Sequence, residues 1–292
     1  MSDRAPFPGR PTAARIRLDA VEDNFRLLGR VAGSAELCAV VTANAYGHGA
    51  VPVTRRLESA GCRRFAVGML EEAVELRDAG VRGEILLLQG MMPGQAGEVL
   101  GRNLIPVVSS LSALELAAEA AGSSPLPLHL KFDTGMGRLG LAPEQAGEVG
   151  DVLRRRPNLR LEGVCTHLAR AGESADTTRE QLRRFDDVRA TLRAAGREPG
   201  LVHAANSAAC LSEPAARYDC VRVGIALYGA RPEPDLPYAE GLRPALAWTS
   251  ALDLVRRVPA GSPISYGGTF VTKRPSTLGV VPVGYADGYR RA

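Results

Sequence analysis

The stretch from residue 36 to 89, ELCAVVTANAYGHGAVPVTRRLESAGCRRFAVGMLEEAVELRDAGVRGEILLLQ, decides the fold. Three short β-branched runs stand in it, ELCAVVTAN (36 to 44), RFAVGM (64 to 69) and EILLLQ (84 to 89), with amphipathic segments between them. In GMLEEAVELRDAG the apolar residues recur every three or four positions, the period of a helix that buries one stripe. Strands separated by helices pair in parallel, because the connection is long enough to cross over the sheet. The pattern continues through IPVVSS (105 to 110), PLHLKFD (127 to 133), LRLEGVCTH (159 to 167), LVHAAN (201 to 206) and YDCVRVG (218 to 224). Eight such units predict an α/β fold, a (β/α)8 TIM-like barrel. An open doubly wound sheet has the same alternation, and periodicity alone does not separate the two.

An earlier run, ARIRLDA (14 to 20), is surplus to eight strands and is expected to belong elsewhere. After GARPEPDLP (229 to 237) the texture changes to ALAWTSALDLVRRV, SYGGTFVT and LGVVPVGY, all strand-like with no helix between them. The expected organisation is an N-terminal strand in 1–20 that joins a β-domain, a barrel over 21–235, and the start of a C-terminal β-domain over 236–292. About 57 residues after position 235 are fewer than the roughly 70 to 80 at which an unstapled domain becomes self-sufficient, so the β-domain reads as incomplete.

The chain has 292 residues, 45% hydrophobic, with 36 basic against 32 acidic residues. No run of like charge forms the stripe that a phosphate backbone needs, so nucleic acid is not the expected partner. Only Lys131 and Lys273 are lysines; the other basic residues are arginines. The five cysteines are far apart, with no C-x-x-C, and read as reduced buried thiols. The N-terminus lacks the apolar core of a signal peptide and no stretch approaches 18 apolar residues, so a soluble cytoplasmic protein without a membrane partner is expected.

In a parallel barrel the C-terminal strand ends face the active site. Thr42, Asn44, Tyr46 and His48 stand there, with Asp133, Arg138, His167, Asn206, Ser207, Arg222 and Gly224. Of the four histidines only His167 sits plainly at such an end, which disfavours a metal centre. Ser207 opens one strand-to-helix junction and Gly224–Ile225 another, on the seventh and eighth strands, where backbone N–H groups can meet a phosphate. Taken singly, each reads first as an ordinary cap or turn, since Ser commonly caps a helix and Gly commonly follows a strand in a turn.

Seven phrases in order carry more. AVVTANAYGHGA (39 to 50), LKFDTGMGRLG (130 to 140), GVCTHLARA (163 to 171), HAANSAA (203 to 209), VRVGIALYG (221 to 229), ISYGGTF (264 to 270) and VPVGYADGYRR (281 to 291) resemble the signature segments of alanine racemase. The resemblance implies a pyridoxal 5'-phosphate enzyme that interconverts L-alanine and D-alanine through a cofactor imine with two bases, supplying D-alanine for peptidoglycan. It implies a C-terminal β-domain that recruits the first strand, and a homodimer whose active sites are completed across the interface. By the same resemblance Tyr46, Ser207, Gly224 and Ile225 hold the cofactor phosphate, with Asn206 beside them. Arg222 faces the pyridine nitrogen; a guanidinium only donates, so the ring nitrogen stays unprotonated. His167 sits beside Arg222 and the partner subunit's Tyr266, Arg138 meets the substrate carboxylate, Lys131 is the lysine often carbamylated, and Tyr266 is the base on one face of Cα.

Two departures stand out. Where the family has the lysine that binds the cofactor and serves as the second base, this chain has Thr42, whose hydroxyl forms no imine and is no useful base near neutral pH. The family's β-domain also continues past the position of Ala292, and Val223 replaces a usual proline. Three readings are consistent with this: an alanine racemase, truncated and impaired by Thr42; a non-catalytic protein that binds pyridoxal phosphate; or a racemase for another small amino acid such as serine. A cofactor-homeostasis protein of this fold lacks the β-domain, against the segment from 236 onward.

Overall fold

The computed structural model describes residues 9–290; the first eight residues of the N-terminal segment and the last two of the C-terminal one lie outside the described residues. The chain divides into two compact units, one of residues up to 16 together with 246 onward, the other Arg17–Ala245.

In the larger unit the helix α1 (Leu18–Ala32) precedes eight parallel strands, β2 (Glu36–Val40), β3 (Arg64–Val67), β4 (Glu84–Leu87), β5 (Leu104–Val108), β6 (Leu126–Lys131), β7 (Leu159–Cys165), β8 (Leu201–His203) and β9 (Cys220–Val223). Between them run α2 (Ala50–Ser59), α3 (Leu70–Asp78), α4 (Ala96–Gly101), α5 (Leu111–Ala121), α6 (Ala146–Arg155), α7 (Ala175–Ala194) and α8 (Ser207–Ser212). The sheet runs β8-β7-β6-β5-β4-β3-β2-β9. β8, of three residues, makes no regular ladder with β9. Two backbone bonds, Asp219 N–H to Val202 O (3.1 Å) and Arg222 N–H to Ala205 O (2.9 Å), draw the ends together into a nearly closed barrel.

The strands read as unbroken apolar runs because both their faces are buried. Alternate residues point opposite ways. Leu37, Ala39, Phe65, Val67, Ile85 and Leu87 pack outward under the helices. Cys38, Val40, Ala66, Leu86, Val107 and Cys165 fill the interior. Continued downward, the interior parity reaches Glu36, Arg64 and Glu84, and Arg64 pairs with both acids at the lower rim. Continued upward, it delivers Thr42, Lys131, His167 and Gly224 to the mouth. All five cysteines are free and buried. No helix among the described residues is long and apolar enough to cross a membrane.

The smaller unit holds β1 (Ala13–Ile16) antiparallel to β10 (Leu246–Thr249), β11 (Leu254–Val258) antiparallel to β14 (Ser276–Val280), and the two-residue pair β12 (Pro263–Ile264) and β13 (Phe270–Val271). Three sequence expectations shift. The run 14 to 20 is a strand only to Ile16, because Leu18 starts α1, whose Ala20, Val21 and Leu28 are buried. Residues 236 to 245 group with the barrel, since Leu236, Ala239, Leu242 and Ala245 are buried in its outer core. SYGGTFVT opens with a 3-10 turn at Tyr266–Gly268, where Ser265, Gly267 and Gly268 take positive φ and break the extended chain, and only Phe270–Val271 of it form a strand.

Candidate active site

At the C-terminal mouth of the barrel lies a cavity of about 510 Å³, to which Thr42, Tyr46, Lys131, Arg138, His167, Asn206, Ser207, Arg222, Gly224 and Ile225 all contribute. Sequence reasoning placed each of these near the mouth, and they share this one cavity. Tyr266 is in the other unit and is exposed.

The turn after β2 is unusual. Ala43, Asn44, Ala45 and Tyr46 all lie at φ between 51° and 54°, one turn of left-handed helix built without glycine. Each such residue costs roughly 1 to 2 kcal/mol, so the surroundings must enforce the turn. Several contacts do. Glu72 accepts the Ala43 N–H at 2.6 Å, Asn44 Oδ1 accepts the Ala50 N–H at 2.7 Å, and Ala45 is wholly buried. The turn faces Thr42 into the cavity and lays Tyr46 on Gly224, where an added Cβ would stand 2.6 Å from the Tyr46 hydroxyl. Tyr46 also stacks near Tyr228, which in turn stacks on His48.

Thr42 is tied to the barrel wall. Its hydroxyl donates to the Glu72 carboxylate at 3.0 Å and accepts the Gly68 N–H at 3.1 Å. Glu72 also accepts from Gly68 (2.7 Å) and Met69 (3.0 Å), capping α3. The acids in the first turn of α3 mark a helix start in the sequence; nothing local signals the reach of Glu72 to residue 42.

At the other side of the mouth, Ser207 Oγ accepts N–H bonds from Gly224 (3.0 Å) and Ala226 (3.3 Å). Two donors engage the oxygen's lone pairs, which leaves the hydroxyl proton as a donor to an anion. Gly224 N–H therefore meets Ser207 itself, whereas the sequence suggested that it meets an anion directly. The 3-10 turn Ile225–Tyr228 does begin there. Asn206 caps α8 through Ala209 N–H and donates to Leu168 O.

Arg222 is 6% exposed and, among the described residues, its hydrogen bonds include no carboxylate partner. Its Nη atoms donate to Thr166 O (2.7 Å), His203 O (3.0 Å) and Ala204 O (3.1 Å), and approach His203 Nδ1 (2.7 Å) and His167 Nδ1 (3.4 Å). Burial, then Arg222, Lys131 and Arg138, push the His167 pKa down to about 3. Its loop is held by buried Gln181, which donates to His167 O and accepts from Ala169 N–H. Burial also lowers the Lys131 pKa, helped by Arg222 and Arg138.

Arg138 is carried by a loop wound around Asp133. The carboxylate accepts N–H bonds from Gly135, Met136, Gly137 and Arg138 at 2.8 to 3.1 Å. Burial acts to raise the Asp133 pKa, and those four donors outweigh it and hold it below the usual carboxylate range. The loop closes so tightly that a Cβ on Gly140 (φ +149°) would lie 2.4 Å from Asp133 N. Asp133→Ala is expected to lower stability by about 1 to 3 kcal/mol and Asp133→Asn by roughly half of that, since the amide keeps one accepting oxygen. Urea unfolding midpoints measure both; equal losses for the two variants would contradict this account.

Sequence reading missed Glu72, His129 and His203. Among the described residues no cluster of three or more His, Cys, Asp or Glu is arranged to hold a metal ion.

Comparison with known proteins supplies the rest. Residues 16–232 match the family model described as alanine racemase, N-terminal domain, and residues 245–292 match alanine racemase, C-terminal domain. A curated alanine racemase from Symbiobacterium thermophilum is 44% identical over 286 residues, covering 97% of this chain and 76% of that protein. One from Carboxydothermus hydrogenoformans is 42% identical, with 97% and 77% covered. Among solved structures, alanine racemase from D-cycloserine producing Streptomyces lavendulae superposes with a TM-score of 0.91 at 39% identity, covering 97% of this chain and 76% of that one.

Proposed function

The chain belongs to the alanine racemase family, whose members depend on pyridoxal 5'-phosphate, and from that premise we propose that its cavity takes up this cofactor and is built to interconvert L-alanine and D-alanine. The observation that carries the reading is the meeting of Tyr46, Ser207, Arg222, His167 and Arg138 in one cavity at the strand ends.

The residues fit the cofactor in part. The Ser207 hydroxyl, the Ile225 N–H and the Tyr46 phenol bind the phosphate, Gly224 admitting Tyr46. Arg222 offers an N–H to the ring nitrogen, and because a guanidinium never gives up its proton that nitrogen remains unprotonated. Arg138 would pair with the substrate carboxylate; by the family resemblance His167 would stand between Arg222 and the partner subunit's Tyr266, which would exchange the Cα proton on one face. When bound, the cofactor supplies a conjugated ring that takes up the electron pair left at Cα. Thr42 does not fit: it offers no amine and no base. Covalent attachment and proton exchange on that face are therefore absent from the chain as written.

This supports a second reading, a protein that binds pyridoxal phosphate without turnover. A homodimer with shared sites is part of the first reading; exposed Tyr266, Phe270 and Val271 in the smaller unit support it. A cytoplasmic location suits the five free thiols, and D-alanine from this reaction would feed peptidoglycan synthesis.

Racemisation assays of the Thr42→Lys protein across small and bulky amino acids test the proposal. Alanine should lead, with serine within about 1 to 3 kcal/mol of it in activation energy; equal rates with bulky basic side chains would refute the alanine reading. Gly224→Ala should weaken pyridoxal phosphate binding by about tenfold, because its methyl displaces the Tyr46 hydroxyl and one charge-assisted hydrogen bond is lost. Equilibrium dialysis measures this, and unchanged affinity would remove Tyr46 from the phosphate site.

A further inference from the structure

Two histidines stand inside the barrel below the cavity, His203 on β8 and His129 on β6, 0% and 3% exposed. Arg222 Nη1 lies 2.7 Å from His203 Nδ1, and His203 Nε2 lies 2.8 Å from His129 Nδ1. The proton positions follow from the chemistry. A guanidinium only donates, so His203 Nδ1 accepts and the neutral ring carries its proton on Nε2. That proton is donated to His129 Nδ1, so His129 also carries its proton on Nε2. Protonating His203 would set Nδ1–H against a guanidinium N–H, and protonating His129 would set Nδ1–H against the His203 N–H. Gly163 makes the room: a Cβ there would lie 2.7 Å from His129 Nδ1. The charged groups acting on both rings are Arg222 and Arg64, the latter paired with Glu36 and Glu84. Burial first, then these arginines, push the His129 pKa down to about 3 and that of His203 well below its ordinary value.

We propose that His203 and His129 are positioning residues for Arg222, a one-way file of neutral rings that fixes the guanidinium plane and leaves its Nε–H as the donor for whatever occupies the cavity. The Nη groups are already bonded to three carbonyls and to His203. A carboxylate in the place of His203 would hold Arg222 equally well and cancel its charge. Neutral acceptors hold it and leave the charge uncompensated, so the ligand atom it faces must be a lone-pair acceptor. Identifying that atom as the pyridine nitrogen rests on the function proposed above; the file itself does not.

The test has two arms on the full chain. With [15N]histidine labelling, multiple-bond nitrogen–proton correlation spectra from pH 5.5 to 8 should show His203 and His129 among three neutral rings, His167 being the third, with the His203 and His129 rings both protonated on Nε2 and unchanged by pH. His203→Asn and His129→Gln assign them by loss of each ring's signals. A charged ring or an Nδ1–H tautomer at either position overturns the file. In the second arm, His203→Leu should weaken pyridoxal phosphate binding by about tenfold while inorganic phosphate binding stays within about twofold. His129→Leu should give a smaller loss, and His129→Gln, whose carbonyl oxygen accepts from His203, should restore binding. If His203→Leu does not fold, the His129 pair decides. A parallel fall for both ligands, or no rescue by glutamine, would mean a merely structural role. If the unaltered chain takes up phosphate but no pyridoxal phosphate, the cofactor reading fails and the tautomers alone decide the file.

Discussion

Incubated with pyridoxal phosphate and reduced with borohydride, the chain should retain no covalently attached cofactor, and Thr42→Lys should attach one equivalent at residue 42. Neither lysine of the sequence stands at that position: Lys131 lies on β6 and Lys273 in the smaller unit. The Thr42 hydroxyl is held by Glu72 and Gly68, and a hydroxyl forms no imine. Losing those two contacts in the variant is tolerable, because Glu72 keeps backbone donors from Ala43, Gly68 and Met69. Removal of a general base typically lowers rates by about 10²- to 10⁴-fold, so alanine racemisation by the unaltered chain should lie at least that far below the variant. Mass spectrometry of the reduced protein and optical rotation of alanine measure the two effects. A pyridoxyl group on Lys131 or Lys273, or equal rates for the two proteins, would overturn the assignment of residue 42.

Acid should unfold the protein early. Burial, with Arg222 and other cations adding to it, pushes His129 and His167 down to about 3 and His203 well below its ordinary value. All three are neutral in the native state near pH 6, whereas in the unfolded chain they take up protons below about 6.5. The unfolded state then binds more protons, so the stabilisation is fully present above pH 6.5 and is lost as pH falls toward 3. At about 1.4 kcal/mol per histidine per pH unit, the loss approaches roughly 4 kcal/mol for each unit below 6.5, a large part of a typical 5 to 15 kcal/mol. Urea midpoints at pH 7.5, 6.5 and 5.5 measure it, and His129→Gln should flatten the slope by about one third. A midpoint independent of pH over that range would show that these rings charge within the fold.

Much of the fold was legible because its signals are local. Each strand of the barrel is a short apolar run, each helix a stripe with a period near 3.6, and a parallel sheet buried on both faces needs both. The boundaries erred where local texture misled: ARIRLDA continues into a helix, and SYGGTFVT turns back on its glycines. The polar residues at the strand ends were visible as a set, and the motif order identified what they resemble.

By itself, then, the sequence determined eight parallel strand–helix units, the strand ends at which chemistry would gather, the family resemblance, and a hydroxyl at residue 42 where that resemblance implies an amine. Only the tertiary structure decided how those groups are held. The carboxylate that restrains Thr42 lies 30 residues away, His203 lies 19 residues from Arg222, and His129 lies 74 residues from His203. No local pattern encodes such pairs. A histidine at an interior strand position reads as one more barrel residue until closure of the sheet sets β6, β8 and β9 around one axis, and there the need to satisfy a buried guanidinium without a counterion turns two such residues into a file with a single direction.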